Sequence, residues 1–265
     1  MEKTIRDLYS IIMTKITLRC LIAFAMLLAG QAAGAADPSA LWKIVHNQYV
    51  PNERNRHDPQ PCSMVDMAGG EDNGYAILKD RVGIAQFLLI PTARNSGIDD
   101  PRILAPDMPN FWDMAWQGRR FTEARAGSIL PRTALSLAIN SSVGRSQDQF
   151  HIHIDCVRPD IQAAIADHAS EIGSSWSVFP VTLSGHRYRA MRVEQEALDG
   201  INPFHLLADG DLKATAELGL HTLVVVGAAF GDKRGFVVFD NVANRLMGDF
   251  ASGEELQDHD CKLAR

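Results

Sequence analysis

Basic charge is in deficit here, and cysteine is scarce. The 265 residues carry 26 Lys and Arg against 32 Asp and Glu, a formal net charge of −6 with a pI near 5.8. A protein that wraps nucleic acid usually shows a basic face and a high pI, so nucleic acid is not an expected partner. There are only four cysteines, and no CxxC pair among them. That excludes a zinc ribbon and a thioredoxin-type redox site. No HExxH cluster occurs, so the metalloprotease pattern is missing too. Hydrophobic residues at 46% and charged residues at 22% are ordinary globular values. They exclude collagen, a coiled coil, a disordered polymer and a polytopic membrane protein. What is present is enough chain for one large domain or two small ones.

The first 36 residues do not read as globular. Lys15 and Arg19 precede an apolar stretch, Cys20 to Gly30, and Ala33-Gly34-Ala35 follows with the spacing of a signal-peptidase site. A basic start, a short apolar run and small residues at the cleavage position predict export. The 17 residues from Cys20 to Ala36 hold only Gln31 as a strongly polar side chain. That is the lower limit for spanning a bilayer, roughly 17–25 residues, so an uncleaved anchor competes with a cleaved leader. The expectation is a leader or anchor over 1–36 and a single catalytic body over 37–265. Basic residues on the N-terminal side place that body outside the cytoplasm. An oxidising compartment permits one disulfide among Cys62, Cys156 and Cys261, with the pairing left open.

The body mixes helix and strand. A short helix is expected near 41–46, followed by an irregular stretch through PNERNRHDPQP. Strands are expected at 74–79 and 82–90, with Asp80-Arg81 at the hairpin turn and Pro91 ending the second strand. Residues 110–125 predict a helix that starts at Pro109 or Asn110, with Phe111, Met114 and Ala115 on one face, Gly118 and Arg119 toward its edge, and Trp112 and Trp116 as core or a lipid-facing ledge rather than a base-stacking pair. Strands follow at 133–139 and 149–157, then a helix opened by Pro159-Asp160. The second half offers a strand at 187–193, a helix at 203–217, strands at 221–230 and 235–239, and a terminal helix at 253–262. Its order echoes the first half, which raises internal duplication as an expectation. Arg187, Arg189 and Arg192 read as a solvated strand face, and His259 as a packing residue of the terminal helix.

The informative segment is 140–158, NSSVGRSQDQFHIHIDCVR. On a strand, residues two apart share a face. Gln149, His151, His153 and Asp155 therefore project together, while Phe150, Ile152, Ile154 and Cys156 point to the other side. Two imidazoles and a carboxylate in a row are unusual for a solvated face. An HxH pair on a strand can present two ligands to zinc. A neutral imidazole is also a competent nucleophile toward phosphorus near pH 7. Cys156 faces away from the histidines, so a thiol nucleophile is not expected.

The run HIHID resembles the histidine-triad (HIT) signature, in which histidines alternate with apolar residues along a strand. Asn140, eleven residues before His151, and the turn holding Gly144 and Gln147 extend that match. The segments AILKD, FLLIPT, PNFWDMAWQ, SLAINS, GRSQDQFHIHIDCVRPD and EELQDHDC together resemble the bacterial CDP-diacylglycerol pyrophosphatase family, over roughly residues 40–265. The resemblance implies an α+β fold, a HIT-like antiparallel sheet with helices whose second half is a degenerate copy. It implies hydrolysis of CDP-diacylglycerol to CMP and phosphatidate through a nucleotidyl-histidine, in phospholipid metabolism and without a cofactor or metal. It implies an inner-membrane protein facing the periplasm, or one secreted there after cleavage, and a membrane surface as partner. The oligomeric state stays open.

His153 would be the nucleophile and His151 the phosphate contact or proton donor. Asp155 stands where the HIT pattern has its third histidine; a carboxylate there would hold the nucleophile's tautomer. A frame shifted by two residues would make His151 the nucleophile. Asn140, Ser141, Arg145, Gln147 and Gln149 are the expected substrate contacts. Two rival functions remain: a general HIT-type nucleotide hydrolase or nucleotidyl transferase acting on soluble substrates, and a non-catalytic periplasmic binding protein for a nucleotide or lipid.

Overall fold

The computed structural model describes residues 37–264. The apolar stretch 20–30, with the leader or anchor expected on it, lies outside the described residues. Among those described, no helix is long and apolar enough to cross a membrane.

Nine strands form one sheet: β1 (Met64–Asp66), β2 (Tyr75–Lys79), β3 (Phe87–Pro91), β4 (Leu135–Ile139), β5 (Ile152–Cys156), β6 (Ser177–Val178), β7 (Arg189–Val193), β8 (His221–Phe230) and β9 (Lys233–Val242). Their spatial order is β1-β2-β3-β5-β4-β8-β9-β7-β6, and each neighbouring pair is antiparallel. With the helices this is an α+β fold. Outward from the centre, the first half runs β4-β5-β3-β2, with β1 as an additional edge strand, and the second runs β8-β9-β7-β6. Each half therefore repeats the same order, and the two meet where β4 pairs with β8.

One face of the sheet carries the main core. Helix α3 (Phe111–Ala126) begins at Asn110, whose side chain accepts from the Asp113 N–H, and ends at Gly127 in the left-handed region. That is the helix ending glycine favours, because a Cβ there is strained. Its buried face is Phe111, Trp112, Ala115, Trp116, Gly118 and Thr122. Gly118 is not an edge residue. A Cβ there would stand 3.1 Å from Ile154 Cδ1 and 3.2 Å from Ile77 Cδ1, so its missing side chain lets α3 settle onto β5 and β2. Trp112 and Trp116 are buried in this core, with Trp112 edge-on to Phe204 and Trp116 edge-on to Phe236.

The opposite face is covered in three sections. Helices α1 (Ala40–Ile44) and α2 (Val50–Arg56), joined by a π-helical turn, close one end with Val45, Tyr49 and Val50 over Ala76, Leu88 and Ile90. Helix α4 (Pro159–Asp167) covers the other end, with Ile161 and Ile165 over Val226, Val237 and Phe239. The C-terminal segment crosses between them. Its Gly253 sits over Thr222, Val224 and Ala138.

Five expectations change. PNERNR is helical rather than irregular, because Pro51 falls in the first turn of α2, where its missing N–H is not needed. β3 starts at Phe87, not Val82. Residues 80–86 form a loop, in which Lys79 Nζ donates to the carbonyls of Asp80, Val82 and Gly83. The helix expected over 203–217 is two, α5 (Pro203–Gly210) and α6 (Leu212–Glu217), because Asp211 caps the second by accepting from Lys213 N–H. The terminal helix is absent. After a 3-10 turn at Gly253–Leu256, the chain bridges the residue after β5 through Gln257 and Val157, and Asp258 N–H donates to the Cys156 carbonyl. Arg189 is not solvated either; it is paired with Asp240 and Asp211.

Candidate active site

β5 places the histidine row as its alternation requires. Ile152, Ile154 and Cys156 enter the main core, and His151, His153 and Asp155 face the opposite side. His153 lies between Leu88 of β3 and Ala138 of β4, and small Ala138 leaves the imidazole room. In the second half the same face of β9 carries Val237 and Phe239 under α4. The second half therefore packs apolar side chains where the first half carries its histidine row.

His151 and His153 are both buried, with their rings edge to face at 4.8 Å. Burial pushes both imidazoles down to about 4, so both are neutral at pH 7. His151 Nδ1 lies 2.7 Å from the Gln149 carbonyl. A carbonyl can only accept, so Nδ1 carries the proton and Nε2 is the bare nitrogen.

The environment of His153 is different. Its Nδ1 is 3.2 Å from Glu254 Oε2. Gln86 Nε2 donates to that same oxygen at 3.2 Å and lies 3.1 Å from the ring nitrogen. The other carboxylate oxygen, Oε1, accepts from Asn140 Nδ2 at 2.6 Å, and Asn140 Oδ1 accepts from Ser252 Oγ. Asn140 thus clamps Glu254, and Glu254 faces His153. Gln86 Nε2 can only donate and Glu254 Oε2 can only accept, so the two compete for Nδ1; in the tautomer that turns the Nδ1 proton to the carboxylate, the lone pair sits on Nε2. That atom is buried and has no hydrogen-bond partner. A buried polar atom left unsatisfied is rare in a folded protein and calls for a functional reason.

Asp155 does not reach His153. One of its oxygens accepts from the Cys156 N–H and the other is 2.7 Å from His259 Nδ1. Burial raises the Asp155 carboxyl, while the Asp155 contact raises His259. Both shifts favour a proton shared within the pair, and His259 is half-exposed. The charge on His259 is in turn one of the influences lowering His153.

Of the expected substrate contacts, only Asn140 joins this constellation. Arg145 is bonded to Asp99 at 2.5 Å and to Asp148 at 3.2 Å, so its charge is neutralised within the fold. Ser141 Oγ donates to the Phe250 carbonyl and accepts from the Gly144 N–H. Gln147 Oε1 accepts from the Leu41 N–H. Gln149 donates to the carbonyls of Pro91 and Ala93. These side chains are spent on holding loops together.

The reading along the chain missed Gln86, Glu254 and His259. Each is distant in sequence from the row, and His259 stands 104 residues beyond Asp155. The one signal available was the acidic and histidine-bearing run EELQDHDC. A disulfide joins Cys156 to Cys261, closing 105 residues of chain. It ties the segment holding Glu254 and His259 to the end of β5. Cys62 is the free, buried thiol.

Two buried neutral imidazoles beside a carboxylate, with a further imidazole–carboxylate pair on the C-terminal segment, are equipped for nucleophilic or acid–base displacement. An α+β protein with such a row in its sheet belongs among the hydrolytic and group-transfer enzymes. The particular family is shown by sequence: the chain belongs to the CDP-diacylglycerol pyrophosphatase family, whose model matches residues 36–265. It is 40% identical over 228 residues to the CDP-diacylglycerol pyrophosphatase of Yersinia pestis, with 86% of each chain covered.

Proposed function

We propose that this chain hydrolyses CDP-diacylglycerol to CMP and phosphatidate through a covalent nucleotidyl intermediate on His153, the chemistry of HIT-type hydrolases. Family membership supports the substrate. The observation that carries the mechanism is the unpartnered Nε2 of His153, with Glu254 at its Nδ1.

The Nε2 lone pair attacks the phosphorus attached to cytidine. The bond from that phosphorus to the bridging oxygen breaks, and phosphatidate departs with the oxygen. As the P–N bond forms, the ring becomes cationic, and Glu254 stabilises it at 3.2 Å. His259, held by Asp155, supplies a proton to the departing oxygen. Water then attacks the phosphoramidate. Its proton passes to neutral His259, the P–N electrons return to His153 and CMP leaves. His151, with a bare Nε2 directed by its Gln149 contact, orients the water as an acceptor. Of the two tasks expected of His151 from sequence, phosphate contact or proton donation, this reading drops the second, because a neutral ring already bonded through Nδ1 has no proton to give at Nε2.

The test is CMP and phosphatidate release from detergent-dispersed CDP-diacylglycerol, with His153→Ala and His151→Ala variants alongside. Loss of both products in His153→Ala, with measurable turnover left in His151→Ala, supports this assignment. The reverse pattern overturns it. Release of CMP from soluble nucleoside diphosphate esters but not from the lipid would keep the chemistry and discard the substrate.

A further inference from the structure

Two loops meet over His153, and each ends in exposed apolar side chains. The first is the β2–β3 loop, residues 80–86. It supplies Gln86 to the site, and its Ile84 N–H donates to the His259 carbonyl at 2.9 Å. On its outer side Val82 is 56% exposed and Ile84 is exposed as well. The second loop follows β9, residues 243–252, and runs directly into Glu254. It is pinned to the site by Ser141, whose Oγ donates to the Phe250 carbonyl at 2.6 Å and whose N–H donates to the Ala251 carbonyl. At its tip Leu246 is 99% exposed and Met247 79%, with Phe250 exposed beside them. The loops are joined across the nucleophile by the bond from Gln86 to Glu254.

Single exposed apolar residues are ordinary on a protein surface. Here five of the eleven exposed large apolar residues among those described, Val82, Ile84, Leu246, Met247 and Phe250, stand on the two loops that build the catalytic centre, while the faces of the sheet beneath are covered. Each tip also carries an exposed cation, Arg81 beside Val82 and Arg245 beside Leu246. Neither has a carboxylate partner within salt-bridge distance among the described residues. This is against the grain of a chain whose net charge is −6. Apolar side chains flanked by arginine suit the boundary between anionic headgroups and acyl chains.

We infer that the two tips are a lipid-docking surface, with Leu246, Met247, Val82 and Ile84 entering the acyl boundary of an anionic bilayer around the mouth of the site. This rests on the lipid substrate proposed above. It explains how a substrate with two acyl chains reaches a nucleophile set in a folded sheet: the headgroup is drawn in between the loops while the chains stay in the membrane.

The test uses the full chain, so that any contribution of residues 1–36 is common to all variants. Leu246→Ser/Met247→Ser and Val82→Ser/Ile84→Ser are compared with wild type on two substrates. One is CDP-diacylglycerol in vesicles of anionic phospholipid. The other is a short-chain CDP-diacylglycerol dissolved as monomers. The expected result is a tenfold or greater fall in rate at limiting vesicle substrate, with short-chain turnover unchanged. Equal rates on vesicles for variants and wild type would overturn the surface and assign these tips to a protein contact or to none. Equal losses on both substrates would also overturn it, by showing damage to the site. A folded wild type that turns over neither substrate would refute the underlying function itself, and is distinct from both.

Discussion

Replacing Glu254 by Gln isolates the role of the carboxylate without removing its shape. The Gln amide oxygen can still accept from Asn140 Nδ2, which now reaches Oε1 at 2.6 Å. Its NH₂ would occupy the place of Oε2, facing His153 Nδ1 and Gln86 Nε2, both about 3.2 Å away. Two donors cannot satisfy each other, so His153 would turn Nδ1 into an acceptor and carry its proton on Nε2. The nucleophilic lone pair would be lost. The negative charge facing the forming imidazolium would be lost as well. At 3.2 Å and an effective dielectric constant near 20 that attraction is about 5 kcal/mol before solvation offsets, so a net loss of about 3–5 kcal/mol, or 10²–10⁴-fold in kcat, is expected. The assay is CMP release at saturating substrate, with circular dichroism to confirm the fold. Turnover of E254Q within threefold of wild type would refute the reasoning. So would a change confined to KM, because the argument places the carboxylate's effect in the transition state.

The Cys156–Cys261 bridge closes a loop of 105 residues, worth about 4–5 kcal/mol in the chain-entropy treatment; Cys261→Ser should lower the denaturant midpoint accordingly, and an unchanged midpoint would contradict it. His259→Asn should cut kcat on CDP-diacylglycerol by about 10²–10³-fold. The same variant should lose less than tenfold on the p-nitrophenyl ester of CMP, whose phenolate leaves without a proton. Equal losses on the two would remove His259 from the acid role. Burying two neutral imidazoles with values near 4 makes stability fall as pH drops from about 6.5 toward 4, because the unfolded chain takes up protons first. The pH slope of unfolding free energy in that window should be shallower in His151→Gln/His153→Gln than in wild type; identical slopes would show that these rings are not held neutral.

The histidine row was legible because strand alternation is a local property. HIHID declares its two faces in five residues, and Ile152, Ile154 and Cys156 had only one place to go. The same holds for α3, whose Asn110 cap and following apolar positions lie within one turn. The partners of the row were not legible. Glu254, Gln86 and His259 reach it only after β3 pairs with β5 and the C-terminal segment is drawn back along the sheet. EELQDHD has good helix-forming residues, yet its backbone bonds to the end of β5. Tertiary pairing there overrides propensity. Arg145, Gln147 and Gln149 stood near the motif and offered polar groups. Whether such groups serve a ligand or the fold is decided by Asp99, the Leu41 N–H and the carbonyls of Pro91 and Ala93, none of which is adjacent in sequence. The echo between the halves was faint for the same reason: strand order repeats, while β9 carries Val237 and Phe239 where β5 carries the polar row.

The central claim is that His153 carries the nucleotide. The direct measurement is a rapid acid-free quench of wild-type chain with CDP-diacylglycerol labelled in the cytidine, followed by peptide mapping under alkaline conditions, where a phosphoramidate survives. The account predicts a cytidylyl group on His153 that forms before CMP appears and is absent from His153→Ala. A label on His151, or CMP formed at full rate with no labelled peptide at any time, would contradict it.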